Sequence, residues 1–153
     1  MQLTYLSYFL ASVLSFLGLL VGIILIKLAP EEQKPGKKYF ILIKKIILFL
    51  IIALFFIYLK INLIILFLLL IITLIMLTNK KITLESNLLV YLMLGIFFSL
   101  SSKIFYLFII ESVLIFLYGI PTSSLELKKN NYYSVFVKNL VFFVPVILLY
   151  FIL

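Results

Sequence analysis

The chain of 153 residues contains no cysteine, histidine or tryptophan, and it also lacks aspartate and arginine, so every base is a lysine and every acid a glutamate. Without cysteine or histidine the chain cannot form a disulfide, a zinc, haem or iron–sulfur site, or a histidine-dependent catalytic triad. These absences exclude membrane metalloproteases and histidine-based acyl or phosphoryl transferases. We therefore expect no metal, no cofactor, no catalytic residue and no enzymatic activity.

A serine–lysine dyad can support nucleophilic hydrolysis without histidine, and Ser99, Ser101 and Ser102 lie close to Lys103 in the sequence. Consecutive residues in a turn point in different directions, and an exposed lysine keeps its proton and is a poor base. We therefore interpret these residues as a polar turn.

Charge is also scarce: 12% of the residues are charged and 67% are hydrophobic. Soluble domains contain roughly 25% charged and about 45–50% apolar residues, so most of this chain is expected to contact lipid. The sequence thus predicts an all-α integral membrane protein with a single transmembrane domain over residues 1–153.

The apolar segments predict about six transmembrane helices, arranged as two short hairpins between an N-terminal and a C-terminal helix. The hairpins turn at Lys60-Ile61-Asn62 and at Ser101-Ser102-Lys103. Pro145 is expected to kink the last helix, and Ser123 to Glu126 fits a capping box that opens a short surface helix. If residues 88–100 are re-entrant, five helices span. The predicted helices are 3–27, 40–59, 61–78, 88–100, 104–120 and 134–153.

Eleven of the 13 lysines lie in or beside the three long loops, and the two hairpin turns carry only Lys60 and Lys103. The positive-inside rule then places the long loops in the cytoplasm and both termini outside the cell membrane. The net charge of +8 is explained by this topology, so no nucleic-acid partner is expected.

Glu111 is the most unusual residue, because it lies eight residues from both Lys103 and Gly119, about 12 Å along a helix from each. A charged group at that depth costs at least ~2.5 kcal/mol, so the side chain should face the interior of the bundle. Two interpretations remain open. Glu111 is either a proton or cation relay, or a helix contact hydrogen-bonded to a polar group such as Ser112, Tyr118 or Thr73 or to a partner subunit.

The first helix carries one face of small residues, which lets another helix approach closely. The contact could be made within the chain, in a homo-oligomer or with another membrane subunit. The residues of this small-residue face recur every three or four positions: Ser7, Ala11, Ser15, Gly18 and Gly22.

Two functions are consistent with these features. The first is an accessory or assembly subunit of a membrane complex, because the chain has no soluble domain and few polar groups among its apolar segments. The alternative is a small ion- or proton-coupled transporter or channel subunit that uses Glu111. The exclusive use of lysine together with much isoleucine, phenylalanine and asparagine indicates AT-rich coding and a prokaryotic source.

Overall fold

The computed structural model describes residues 4–59, 64, 67–68, 71, 75, 87–126 and 132–152, and this part of the chain is helical, with no strand. The prediction of an all-α protein is confirmed for these residues. Short 3-10 turns occur at Pro30–Glu32 and Leu140–Phe142. The α-helices are α1 (Tyr5–Phe16), α2 (Gly18–Leu28), α3 (Gln33–Tyr58), α4 (Asn87–Ser101), α5 (Phe105–Glu126), α6 (Tyr132–Asn139) and α7 (Phe143–Ile152).

Four helical segments are long and apolar enough to cross a membrane: Tyr5–Leu28, Pro35–Tyr58, Phe105–Glu126 and Tyr133–Ile152. A shorter apolar helix covers Leu88–Ser101. The predicted helix 61–78 and the turn at Lys60 lie outside the described residues, apart from five helical positions. The described residues therefore establish four long apolar helices, and the predicted count of six is not confirmed.

Helix α5 lies at the centre of the bundle and packs against α1, α2, α3 and α4. It runs parallel to α2, because Gly18 faces the carbonyl of Phe116 and, one turn later, Gly22 faces Ile120. A Cβ added to Gly119 would lie only 2.6 Å from the backbone nitrogen of Leu19, so the two backbones touch. This is the close approach that small residues permit in a membrane.

The small-residue face of the first helix is thus directed in part at α5 of the same chain. Ser15, Gly18 and Gly22 are buried, and Ala11 is half-buried. Ser7 is exposed and bonds locally, its hydroxyl donating to the Thr4 carbonyl oxygen at 2.9 Å. The contact with α5 therefore involves Gly18 and Gly22 at the end of the small-residue face and does not include Ser7.

The other helices can be oriented from their contacts with this pair. Gln33 at the start of α3 donates to the carbonyl of Ser124 near the end of α5 (3.1 Å), so α3 is antiparallel to α5. At the far end of the chain, the rings of Tyr5 and Tyr150 lie 4.9 Å apart, so α7 ends beside the start of α1.

These directions define two ends of the bundle. The terminal end holds Tyr5, Tyr58, the turn Ser102–Ile104 and Ile152, and the basic end holds Leu28, Gln33, Asn87, Glu126 and Tyr132. Lys103 lies at the terminal end. The other seven described lysines lie in the half of the bundle toward the basic end: Lys27, Lys34, Lys37, Lys38, Lys44, Lys45 and Lys138.

Two predicted polar loops are largely helical, which corrects the boundaries. Helix α3 begins at Gln33 rather than near residue 40, with Pro35 in its first turn, where a missing N–H costs nothing. Helix α5 continues through Pro121 to Glu126. The expected capping box is therefore the last turn of α5, in which Ser123 and Ser124 are buried.

The break in the last helix precedes Pro145 instead of lying at it. Residues Leu140–Phe142 form a 3-10 turn, and Pro145 is the third residue of α7. Since proline has no N–H and its ring clashes with the carbonyl four residues earlier, the regular helix gives way one turn before Pro145.

Candidate functional site

Glu111 is fully buried, with none of its surface exposed. It lies on the face of α5 that is turned into the bundle, together with Phe108, Ile115 and Tyr118. Because α5 runs from Phe105 to Glu126, Glu111 is about 9 Å along the helix from the terminal end and about 22 Å from the basic end. The acid is thus nearer the terminal end than equal spacing between Lys103 and Gly119 predicted.

Neither carboxyl oxygen of Glu111 has a hydrogen-bond partner. The hydroxyl of Ser112 instead donates to the carbonyl of Phe108 within the same helix at 2.6 Å. The hydroxyl of Tyr118 is itself buried without a partner. Thr73 lies outside the described residues. None of the hydrogen bonds expected for a helix contact is therefore formed by Glu111 in the described structure.

Further polar side chains follow Glu111 along α5 toward the basic end. Tyr118, Thr122 and Glu126 succeed each other at intervals of four residues, so they share the face on which Glu111 lies. The only interruption on this face is Ile115, which is 1% exposed. Along this face of α5, one apolar residue thus separates Glu111 from Tyr118, Thr122 and Glu126.

Three other helices contribute polar groups to the same region. Lys44 of α3 places its Nζ 5.5 Å from the ring centroid of Tyr118, and the ring of Tyr91 on α4 lies 5.8 Å from the Tyr118 ring. Asn139 of α6 donates from Nδ2 to Oε2 of Glu126 at 3.0 Å. We call these residues the basic-end cluster: Lys44, Tyr91, Tyr118, Thr122, Glu126 and Asn139.

The basic-end cluster is incompletely hydrogen-bonded. The hydroxyls of Tyr91 and Tyr118 and Oδ1 of Asn139 are buried without a partner. Thr122 is satisfied, because its hydroxyl donates to the Tyr118 carbonyl at 2.8 Å. Buried polar groups in proteins are usually paired with protein or water, so these three atoms have hydrogen-bonding capacity that a water could use.

On the terminal side of Glu111 the packing is aromatic. The ring of Phe108 lies 4.9 Å from that of Phe98 and 6.0 Å from that of Tyr8, and the rings of Tyr8 and Phe98 lie 5.3 Å apart. The Tyr8 hydroxyl is hydrogen-bonded, with Ser99 Oγ at 2.9 Å. We call these rings the aromatic layer. It separates Glu111 from the terminal end, although that end is the nearer one.

The cluster was not predicted from the sequence. The predicted helices end at residue 120 and begin again at residue 134, so Glu126 falls between two helices and Asn139 falls in the last one. The predicted helix 104–120 ends before Pro121, whereas α5 continues through this proline to Glu126. A helix extended to residue 126 would have aligned Tyr118, Thr122 and Glu126 on the face of Glu111.

Within the described ranges, no group of three or more metal-ligating side chains comes together. No protein-family model, curated protein or solved structure matches this chain.

Proposed function

We propose that the protein transfers protons through the membrane, with Glu111 as the proton-binding group. The observation that carries this proposal is the carboxyl group of Glu111, which is fully buried in an apolar helix and has no hydrogen-bond partner. An acid in this position costs stability, and no hydrogen bond in the described structure offsets that cost. Intramembrane acids of this kind commonly mark proton or ion pathways.

The structure supports a proton more than a metal cation. Hard cations such as Ca²⁺ require six to eight oxygen ligands, and Mg²⁺ requires near-octahedral oxygen coordination. Around Glu111, the hydroxyl of Ser112 is directed to the Phe108 carbonyl, and the adjacent residues on the same face are Phe108 and Ile115. A proton needs only the carboxyl group itself, so it is the transferred species that this environment favours.

The helix-contact interpretation finds little support. A helix contact would place the carboxyl within hydrogen-bond distance of another helix, and no such bond is present. A contact with a partner subunit would require an accessible side chain, whereas Glu111 is completely covered by its own chain.

We further propose that the chain crosses the cell membrane six times with both termini outside. Tyr58 lies at the terminal end and Asn87 at the basic end, so the chain between them has to pass from one end to the other. Five residues in this stretch support a helical crossing, since they are helical, exposed and spaced to share one face: Ile64, Phe67, Leu68, Ile71 and Ile75. The lysines near the basic end would then be cytoplasmic.

Proton flux into liposomes tests the function directly. Purified protein would be reconstituted with a pH-sensitive dye inside, and a potassium diffusion potential would drive protons inward. Wild-type protein should acidify the lumen faster than protein-free liposomes. Glu111→Gln keeps the size of the side chain but cannot release a proton, so it should abolish this excess flux.

Ser112→Ala is the matched control, because it alters the neighbouring residue and removes a hydroxyl that bonds only within α5. It should transport like wild type. If wild-type flux equals that of Glu111→Gln, the proton-transfer function is wrong. The accessory or assembly subunit is then the remaining function, and co-purification with other membrane proteins would be the next measurement.

A further inference from the structure

We infer that the basic-end cluster is a hydrated access route, through which Glu111 exchanges its proton with the basic end and not with the terminal end. This inference rests on the proposed proton transfer and specifies the end of the bundle from which Glu111 is accessible in the described conformation. It is carried by the unpaired polar atoms of the cluster, the face of α5 that connects them to Glu111, and the aromatic layer on the other side.

The unpaired atoms have the chemistry of a water site. Tyr91 and Tyr118 each offer a hydroxyl that can donate and accept, and Oδ1 of Asn139 can accept. A buried water typically makes about three hydrogen bonds, and hydroxyl and amide groups are the partners that it uses. No ligand larger than water is required to satisfy them.

The outer edge of the cluster carries opposite charges. Glu126 accepts a hydrogen bond from Asn139 and lies within electrostatic range of Lys44. Glu126 is half-buried at the last residue of α5, whereas Tyr118 is two turns deeper and fully buried. Glu126 is therefore placed to pass a proton between the cluster and the aqueous phase.

Ile115 separates the deepest polar group of the cluster from the acid. Tyr118 is about 10 Å along α5 from Glu111, and Ile115 lies between them on the same face. Along this face of α5, a transient water can pass one apolar side chain after a rotamer change. On the opposite side lie the three packed rings of the aromatic layer: Tyr8, Phe98 and Phe108.

The proton transfer itself is balanced and involves no redox change. The O–H bond of the Glu111 carboxylic acid breaks, and an O–H bond forms on a water beside Tyr118, leaving a carboxylate. A proton then leaves the water chain for the carboxylate of Glu126, from which it passes to bulk water. Reprotonation of Glu111 follows the same steps in reverse.

Hydrogen–deuterium exchange of the Glu111 carboxyl tests the route separately from transport. The infrared carbonyl band of a protonated carboxyl shifts on deuteration, and the difference between wild type and Glu111→Gln isolates the band of Glu111. After transfer of reconstituted protein into D₂O, Tyr118→Phe should exchange about tenfold more slowly, the effect of losing one hydrogen bond to the bridging water. Glu126→Gln, which can still accept from Asn139, should also slow exchange.

Tyr8→Phe is the matched control, because it removes a buried tyrosine hydroxyl at the terminal end. It should leave the exchange rate unchanged. The access route is wrong if Tyr8→Phe slows exchange as much as Tyr118→Phe, or if neither Tyr118→Phe nor Glu126→Gln slows it. A wild-type protein that exchanges through the cluster but carries no flux would refute the transport function alone, so the two failures are distinguishable.

Discussion

Substitution of Gly18 tests the packing on which the bundle depends. A Cβ at this position would lie 2.7 Å from the carbonyl carbon of Phe116 and closer still to its oxygen. Carbon atoms in contact prefer about 3.5–4.0 Å, so α2 and α5 would have to separate by roughly 1 Å. The obstacle is backbone, which cannot rotate away as a side chain can.

The cost can be estimated from dispersion. A gap of up to about 1 Å forfeits a quarter to a half of a pair's attraction of ~0.1–0.2 kcal/mol, and an interface with about 50 such pairs would lose ~2.5 kcal/mol. Alanine recovers about 1 kcal/mol relative to glycine in a helix. Gly18→Ala should therefore lower the free energy of unfolding by about 1–2 kcal/mol, and Gly18→Leu should lower it by more, because a larger side chain overpacks the contact.

Unfolding of the detergent-solubilised protein by sodium dodecyl sulfate measures this effect, with tyrosine near-ultraviolet circular dichroism as the signal. Gly36→Ala is the matched control, since an added Cβ there would meet only the ring of Phe40, at 3.0 Å, which can move. This variant should be as stable as wild type or slightly more so. If Gly18→Ala and Gly36→Ala behave alike, the backbone contact between α2 and α5 is not formed. Loss of an oligomer without loss of stability would assign the small-residue face to a partner instead.

Two other predictions concern orientation and Glu111. A cysteine replacing Lys103 should react with an impermeant maleimide on intact cells, and one replacing Lys37 only after permeabilisation; the reverse pattern would invert the topology. Glu111→Leu should raise the free energy of unfolding in the same detergent assay, by about 1–3 kcal/mol, because it removes a buried carboxyl that has no partner. A destabilised Glu111→Leu would instead show that this carboxyl holds helices together.

The composition and the spacing of charged residues were sufficient to predict the all-α fold, the long apolar helices and the buried position of Glu111. They were insufficient for the helix boundaries, because proline and lysine were interpreted as ends of helices. Pro121 is instead accommodated within α5, and the lysines near the start of α3 lie on a continuous helix. Which glycines contact which helix also depends on the tertiary arrangement, since the spacing of Gly18 and Gly22 does not identify α5 as the partner.

The basic-end cluster could not be predicted either, because it depends on the helix boundaries and on the tertiary arrangement. Lys44, Tyr91 and Asn139 belong to three helices that are distant in sequence, so no local pattern relates them. Their proximity follows from the antiparallel packing of α3 and α4 against α5. Only the row from Glu111 through Tyr118 to Glu126 was present as a helical spacing, and it becomes visible once α5 is extended past Pro121.

The hydroxyl groups of this bundle explain why Glu111 has no partner. Many of the serines and threonines donate to carbonyls three or four residues earlier in their own helix, as Ser15 does to Ala11 and Ser112 to Phe108. Such bonds satisfy the hydroxyl without linking two helices. Helix association between α2 and α5 therefore depends on glycine contacts, to which Glu111 contributes nothing. Under the proposed function, this acid is present for its exchangeable proton, and the stability of Glu111→Leu tests whether it also holds helices together.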